Sequence, residues 1–322
     1  MPKYTLAIPL AVALMAIPTV TLAAPSAEEI DLATYSGGDL PDGQSALTVK
    51  LQVLLDRAGI APGVIDGYKG GMSESALRAF ERREGLTVDG VLDEEVWSAL
   101  GGADAEPITQ DYTITAEDAQ VRGDALPDDY AELAKLDRMG FVTVAEALAE
   151  KFHMDVDFLQ ALNPDAAFSE GETIRVVAPG EDISGAVASI VIDKEARRLT
   201  ARNEAGDTLA DYPVAIGSQE TPSPSGTMEV EAVAVEPTYS YRPSENFQQG
   251  DNDEPLTLPP GPNGPVGSVW IDLSKPTYGI HGTPEPAKLF EADSHGCVRM
   301  SNWDARELAE LVSPGTTVEF SQ

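Results

Sequence analysis

Apolar residues first recur at helical spacing at Leu47, Leu51, Leu54, Leu55 and Ala58, which predicts an amphipathic helix. A turn rich in Gly and Pro, ending Ile65-Asp66-Gly67, closes it. Ser73 then reads as the cap of a second helix carrying Ala76, Leu77 and Phe80. A second turn, Val88-Asp89-Gly90, precedes a third helix that starts at Asp93 and carries Val96, Trp97 and Leu100. Three short helices and two Asp-Gly turns predict a small bundle over residues 45–101. Gly67 and Gly90 read as structural, because glycine takes a positive φ at no steric cost. The acidic, aperiodic residues 25–44 read as a linker, as do residues 102–108.

The pattern changes twice more. Val144, Ala145, Leu148 and Ala149 predict a helix; Val156, Leu159 and Leu162 predict another, ending in Leu162-Asn163-Pro164. Gly171-Glu172 then precedes the short apolar run Ile174 to Val177, so residues 109–180 read as a small α/β module. His153 lies in an amphipathic stretch and reads as a packed or surface residue. Beyond residue 186 the chain turns β-rich, with strand-like segments at 190–192, 198–200, 208–217, 226–235, 266–273 and 278–281. Residues 236–265 are rich in Pro, Gly, Asp and Asn and read as a long loop, a feature that is usually functional. One late helix is expected over 302–312, with Trp303, Leu308 and Leu311 on one face.

Composition narrows the class. The 322 residues carry 21 Lys and Arg against 54 Asp and Glu, a net charge of −33, which argues against nucleic acid and anionic lipid as partners. One Cys excludes an intramolecular disulfide and any structural zinc site built from several Cys. At the N-terminus, Lys3, the apolar stretch 6–22 and Ala23-Ala24 read as a secretory signal over residues 1–24. No later stretch is apolar enough to span a bilayer. The mature protein is therefore expected to be exported, to the periplasm or cell wall. Its acidity suits a saline medium, since dense carboxylates stay hydrated there.

The candidate chemistry is concentrated. Two of the three His and the single Cys fall within 17 residues: His281, His295 and Cys297. A thiol becomes a nucleophile when a base takes its proton, and an imidazole can take it and return it to a leaving amine. Gly282 and Gly296 flank these groups, so a substrate backbone is expected to approach closely and N–H groups to face an oxyanion. Arg299 places a fixed positive charge two residues past the thiol, to lower its pKa or hold a carboxylate. An inert core Cys suits these neighbours poorly. A His/His/Cys metal site is disfavoured by the tight spacing of His295 and Cys297; no metal and no cofactor are expected.

Three resemblances sit on these residues. The run VKLQVLLDRAGIAPGVIDGYKGGMSESALRAFERREGLTVDGVLDEEVWSAL resembles a peptidoglycan-binding type 1 module, with Glu81 where that family usually carries Gln. The Leu-Asn-Pro helix and following strand resemble the second half of a LysM-like module. The segment HGTPEPAKLFEADSHGCVRMSNWDARELAELV resembles the signature of L,D-transpeptidases, the YkuD-type catalytic domain, over residues 186–320. The turn SQETPSPSG upstream resembles that family's Thr-Pro-x-Gly turn. Phe290 stands where many members carry Gly, which bears on loop shape. The order of residues agrees, since in NlpC-type cell-wall peptidases the Cys precedes its His by a long interval.

The resemblance implies a multidomain protein: a three-helix peptidoglycan-binding bundle, a LysM-like α/β module, and a mainly β catalytic domain with one packed helix. It implies Cys297 as nucleophile, His281 as its base and His295 as a further catalytic residue. Arg299, Ser294, Gly296, Gly282 and Thr283 are implied as substrate-binding or supporting residues. The implied substrates are peptidoglycan stem tetrapeptides. The acceptor is a second stem peptide, a lipoprotein or another amine. Water as acceptor would make the same residues an L,D-carboxypeptidase or endopeptidase, and a retired site would leave a non-catalytic wall-binding protein.

Overall fold

The structure, a computed structural model, describes residues 24–244 and 247–321. The secretory signal expected over residues 1–24 lies outside the described residues, save Ala24. Four helices open the described residues: α1 (Ala27–Leu32), α2 (Ala46–Arg57), α3 (Gly71–Glu84) and α4 (Glu94–Ala99). Residues 25–44 are thus not a linker. Ser26 and Glu29 form a capping box on α1, and Ile30 and Leu40 enter the core. The Asp31 carboxylate accepts from the N–H groups of Ile108 and Thr109 and from Thr109 Oγ1. One buried apolar residue, Ile30, in a six-residue helix leaves no periodicity to read. Ser73 is likewise not a cap: α3 starts at Gly71, and Ser73 is buried, accepting from Gln52 Nε2 at 3.2 Å.

The two Asp-Gly turns are braced alike. Gln52, fully buried on α2, accepts from the N–H groups of Asp66 and Gly67 and donates to Asp66 Oδ1. Glu81, fully buried on α3, accepts from the N–H groups of Asp89 and Gly90. In each turn the two N–H groups converge on one oxygen, Oε1 of Gln52 and Oε2 of Glu81.

The middle region pairs β1 (Thr109–Thr113) with β2 (Thr173–Val177), antiparallel, around α5 (Tyr130–Leu133), α6 (Val144–Lys151) and α7 (Val156–Leu162). Asn163 explains the Leu-Asn-Pro run: its side chain bonds Leu159 O, Arg175 O and Arg175 N, stitching α7 to β2. Residues 114–142, with α5, form an excursion between β1 and α6. The bundle and the middle region share one apolar core, from Ile30 through Trp97 to Phe158 and Val177.

The third region holds β3 (Ser189–Asp193), β4 (Arg198–Arg202), β5 (Thr208–Pro213), β6 (Gly226–Val235), β7 (Tyr239–Tyr241), β8 (Leu256–Leu258), β9 (Val269–Leu273), β10 (Gly279–His281), β11 (Val298–Arg299), α8 (Asn302–Leu311) and β12 (Thr317–Ser321). Eight of these strands form a sheet of order β11-β10-β9-β6-β12-β3-β4-β5. The long strand β6 pairs with β12 through its first residues and with β9 through its last; a register shift between Val230 and Ala232 bends it. Helix α8 packs Ala305, Leu308 and Leu311 into the core of this sheet. Residues 236–265 are not a plain loop: β7 and β8 pair there as a separate antiparallel ribbon.

The regions are joined by buried polar contacts. The bundle segment Gly59-Ile60-Ala61 runs along edge strand β5, with Ala61 N–H donating to Asp211 O and Asp211 N–H to Gly59 O. This occupies an edge that would otherwise expose unpaired backbone. Arg198, 2% exposed, donates to Asp211 Oδ1 at 2.6 Å, to Asp211 O and to Ala61 O. Nearby, His153 bonds Asp56 Oδ1 through Nδ1 at 3.1 Å and stacks on Trp303 of α8. His153 is a packed residue linking the three regions. Burial at that junction pushes the Asp304 carboxyl up to about 7.

Removing Arg198 leaves the Asp211 carboxylate buried without its cation. Arg198→Met is expected to destabilise the protein by about 3–5 kcal/mol, read as a lowered midpoint in urea unfolding at unchanged slope.

Candidate active site

Strands β10 and β11 run parallel, with Ile280 opposite Val298 and His281 opposite Arg299. Side chains alternate along a strand, so Ile280 and Val298 share one face, buried in the core. His281 and Arg299 share the other; Cys297 stands just ahead of β11, two residues before Arg299, and extending the alternation puts it on that face as well. Gly279, two before His281, contributes no side chain, and its N–H favours the thiolate of Cys297. A Cβ at Gly279 would lie 2.4 Å from the Trp270 ring. Trp270, on β9, stacks on His281 at 5.5 Å between ring centroids.

His281 is buried, and its Nδ1 lies 2.8 Å from Gly282 O. The carbonyl can only accept, so Nδ1 carries the proton and Nε2 is the free base. Burial, with Arg299 nearby, pulls the His281 pKa down to about 4. Burial pushes the Cys297 thiol up, against the opposing pull of the Gly279 N–H and the Arg299 charge. The thiol of Cys297 and the imidazole of His281 are therefore each neutral at rest. The Cys297 Sγ points at Thr277 O, 3.7 Å away. Among the described residues no carboxylate pairs with Arg299.

The turn before Cys297 is pinned from two sides. Ser294 Oγ donates to Cys297 O and accepts from Gly296 N–H. Ser223 Oγ donates to Gly296 O and accepts from Gly217 N–H, which ties in the SQETPSPSG turn. The Gly296 N–H is thus occupied by Ser294 Oγ, which leaves the Cys297 N–H of this turn as the candidate oxyanion donor. The spaces beside the glycines are filled by the protein and not left for substrate. A Cβ at Gly282 would meet Asn302 Oδ1 at 2.1 Å, and one at Gly296, whose φ is +116°, would touch Tyr278 at 3.0 Å. Thr283 is buried, and its Oγ1 accepts from Glu285 N–H. His295 leaves the His281 face and stacks on Phe247 at 4.6 Å; burial and Arg299 lower its pKa.

The sequence reading misses the aromatic surround. Tyr239, Trp270 and Thr277 line a cavity of about 520 Å³, and it is Thr277 whose carbonyl faces the Cys297 thiol. Phe247 covers His295 from within the stretch read as a loop, and Tyr130 joins it from the middle region, 6.1 Å away between centroids. Aromatic residues in otherwise polar stretches are the only local signal, and they do not reveal their partners.

The family model of the L,D-transpeptidase catalytic domain matches residues 188–320, and that of the "Putative peptidoglycan binding domain" matches residues 44–100. A Bacillus subtilis (strain 168) protein named "Putative L,D-transpeptidase YkuD" is 30% identical over 179 residues, covering 55% of this chain and 92% of its own. The Escherichia coli (strain K12) protein named "Probable L,D-transpeptidase YbiS" is 29% identical over 185 residues, covering 54% of this chain and 59% of its own. A solved L,D-transpeptidase from Mycobacterium smegmatis is 20% identical and covers 47% of this chain and 64% of its own at a TM-score of 0.35.

A thiol neutral at rest predicts a specific pH response. Alkylation of Cys297 by iodoacetamide should rise through pH 9 without a plateau near neutrality, since the folded thiol titrates above its ordinary value of 9. Arg299→Met should move the profile to still higher pH, because it removes a charge that favours the thiolate.

Proposed function

The chain belongs to the L,D-transpeptidase family, and from that premise we propose that it is an exported acyltransferase working through a Cys297 thioester on peptidoglycan stem tetrapeptides. The observation that carries the reading is the common face of His281, Cys297 and Arg299, with Nε2 of His281 free. The imidazole takes the thiol proton only as the sulfur attacks, because neither group is charged at rest. Sulfur bonds to the carbonyl carbon at the L-centre of the third residue. Cys297 N–H receives the oxyanion. The C–N bond to the terminal D-Ala then breaks, and the imidazolium returns its proton to the leaving amine. Attack by an acceptor amine on the thioester forms the new amide and frees the thiol.

Arg299 is the fixed cation at this face, and its guanidinium suits a substrate carboxylate. Ser294 and Ser223 hold the turn that aims the thiol. Thr283 supports the turn after the base. His295 acts from the Phe247 side, away from the proton transfer. A side-chain amine of a second stem peptide as acceptor gives a 3→3 cross-link; a lipoprotein Lys gives a tether. The bundle raises the local concentration of stem peptides by holding the enzyme on the wall. Export is supported by the basic, then apolar N-terminal stretch and by the wall-binding family of the bundle. No described helix is long and apolar enough to cross a membrane.

Purified tetrapeptide muropeptides incubated with the enzyme should yield 3→3 dimers by mass spectrometry, and Cys297→Ala should yield none. Tripeptide alone as product would assign water as the acceptor. His281→Ala should keep its fold by circular dichroism and lose acylation by at least ~10²-fold; acylation at the original rate would place the base elsewhere.

A further inference from the structure

The excursion between β1 and α6 does not belong energetically to the module that carries it. Its apolar residues from Leu126 to Met139 leave the shared core of the first 180 residues and form a separate cluster: Leu126, Tyr130, Leu133, Leu136 and Met139 pack against Tyr239, Tyr241, Leu256 and Leu258 of the β7–β8 ribbon. Backbone bonds fasten it at one end, where Met139 N–H donates to Pro260 O and Asn263 N–H to Met139 O. Gln249 fastens the other, accepting from Tyr130 N–H and donating to Asp128 O. Arg138 pairs with Glu236 at 2.6 Å. The ribbon therefore has few apolar partners of its own and is held in place by a strap from another region of the chain.

The strap ends on the chemistry. Tyr130 lies edge-on to Tyr241 at 5.1 Å and to Phe247 at 6.1 Å, and Phe247 lies flat on His295 at 4.6 Å. His295 is two residues from the thiol. The phenol of Tyr130 also feels the Arg299 charge. We infer that residues 121–142 are a working part of the catalytic site, with Tyr130 a positioning residue that sets Phe247 and, through it, His295 against the substrate cleft beside Cys297. The inference rests on the transpeptidase reading of Cys297. It adds that the middle module supplies one wall of the site.

The required contact is the ring, because ring contacts are what join Tyr130 to Phe247 and Tyr241. In the full-length chain, Tyr130→Phe should retain activity within twofold. Tyr130→Ala should lower kcat/KM for donor tetrapeptide at least tenfold, chiefly through a raised KM, because the wall that holds donor is loosened while thiol and base are untouched. Phe247→Ala should give the same loss, and the double variant should be no worse than either, as residues acting through one contact are non-additive. If Tyr130→Ala does not fold, Tyr130→Leu, which keeps the buried hydrocarbon and loses the ring, carries the same expectation.

A second readout needs no turnover. Tyr130→Ala should speed reaction of Cys297 with a bulky maleimide at least fivefold over wild type, with the small iodoacetamide rate unchanged. That result upholds the strap even where wild type shows no transpeptidation, a failure that would belong to the function and not to the strap. Unchanged kcat/KM and unchanged maleimide rate in a folded Tyr130 variant would overturn the inference, as would losses that simply add to those of Phe247→Ala.

Discussion

The candidate site depends on the register of β10 against β11, two short strands whose parallel pairing puts His281, Cys297 and Arg299 on one face. A slip of one residue would turn Cys297 and Arg299 into the core and bring Val298 out. Two residue pairs are too few to fix a register by their own hydrogen bonds. It is fixed from outside the pair. Ala215 exchanges backbone bonds with Arg299 on the far side. Ser223 and Ser294 clamp the turn that delivers Cys297. Ile280 and Val298 are anchored in the core, and Trp270 closes over Gly279 with no room for a larger residue. That face is thus held by parts outside the β10–β11 pair.

The same economy runs through the acidic side chains. A net charge of −33 reads from the sequence as a surface property, yet several carboxylates serve inside the fold. Asp31 receives the entry to β1, Glu81 braces a turn, and Asp93 and Asp155 cap α4 and α7. Asp211 holds Arg198. Each satisfies backbone donors or a guanidinium that burial would otherwise leave unpaired. Part of the acidity is therefore structural, independent of the surrounding medium.

What was legible in the sequence divides along sequence distance. The bundle helices, α8 and most strands of the large sheet announce themselves in local periodicity, and the reactive residues lie within 17 positions of one another. β12 was not legible: five residues after a Pro-Gly turn take their meaning from β3, more than 120 positions earlier. The β7–β8 ribbon was hidden for the same reason. Its strands are three residues long, and the side chains that cover them come from residues 126–139. Gly282 and Gly296 were legible as special, but for the wrong cause; the close neighbours are Asn302 and Tyr278 of the protein itself. Phe247 and Tyr130 carry no motif at all, because their role exists only where distant segments meet.

The shared core of bundle and middle region, with the Arg198 and His153 junctions beyond it, has a mechanical consequence. A wall-binding module on a flexible leash lets its enzyme sweep a volume around the anchor. Here the bundle and the thiol-bearing region are joined by the contacts of Arg198 with Ala61 and of His153 with Asp56 and Trp303, so on the function proposed above the chain works as a caliper. Such a caliper would reach only peptides that emerge from the glycan lattice at one fixed offset and orientation from the anchoring point. Spacing in the polymer, and not only the chemistry of the peptide, would then decide which stems react.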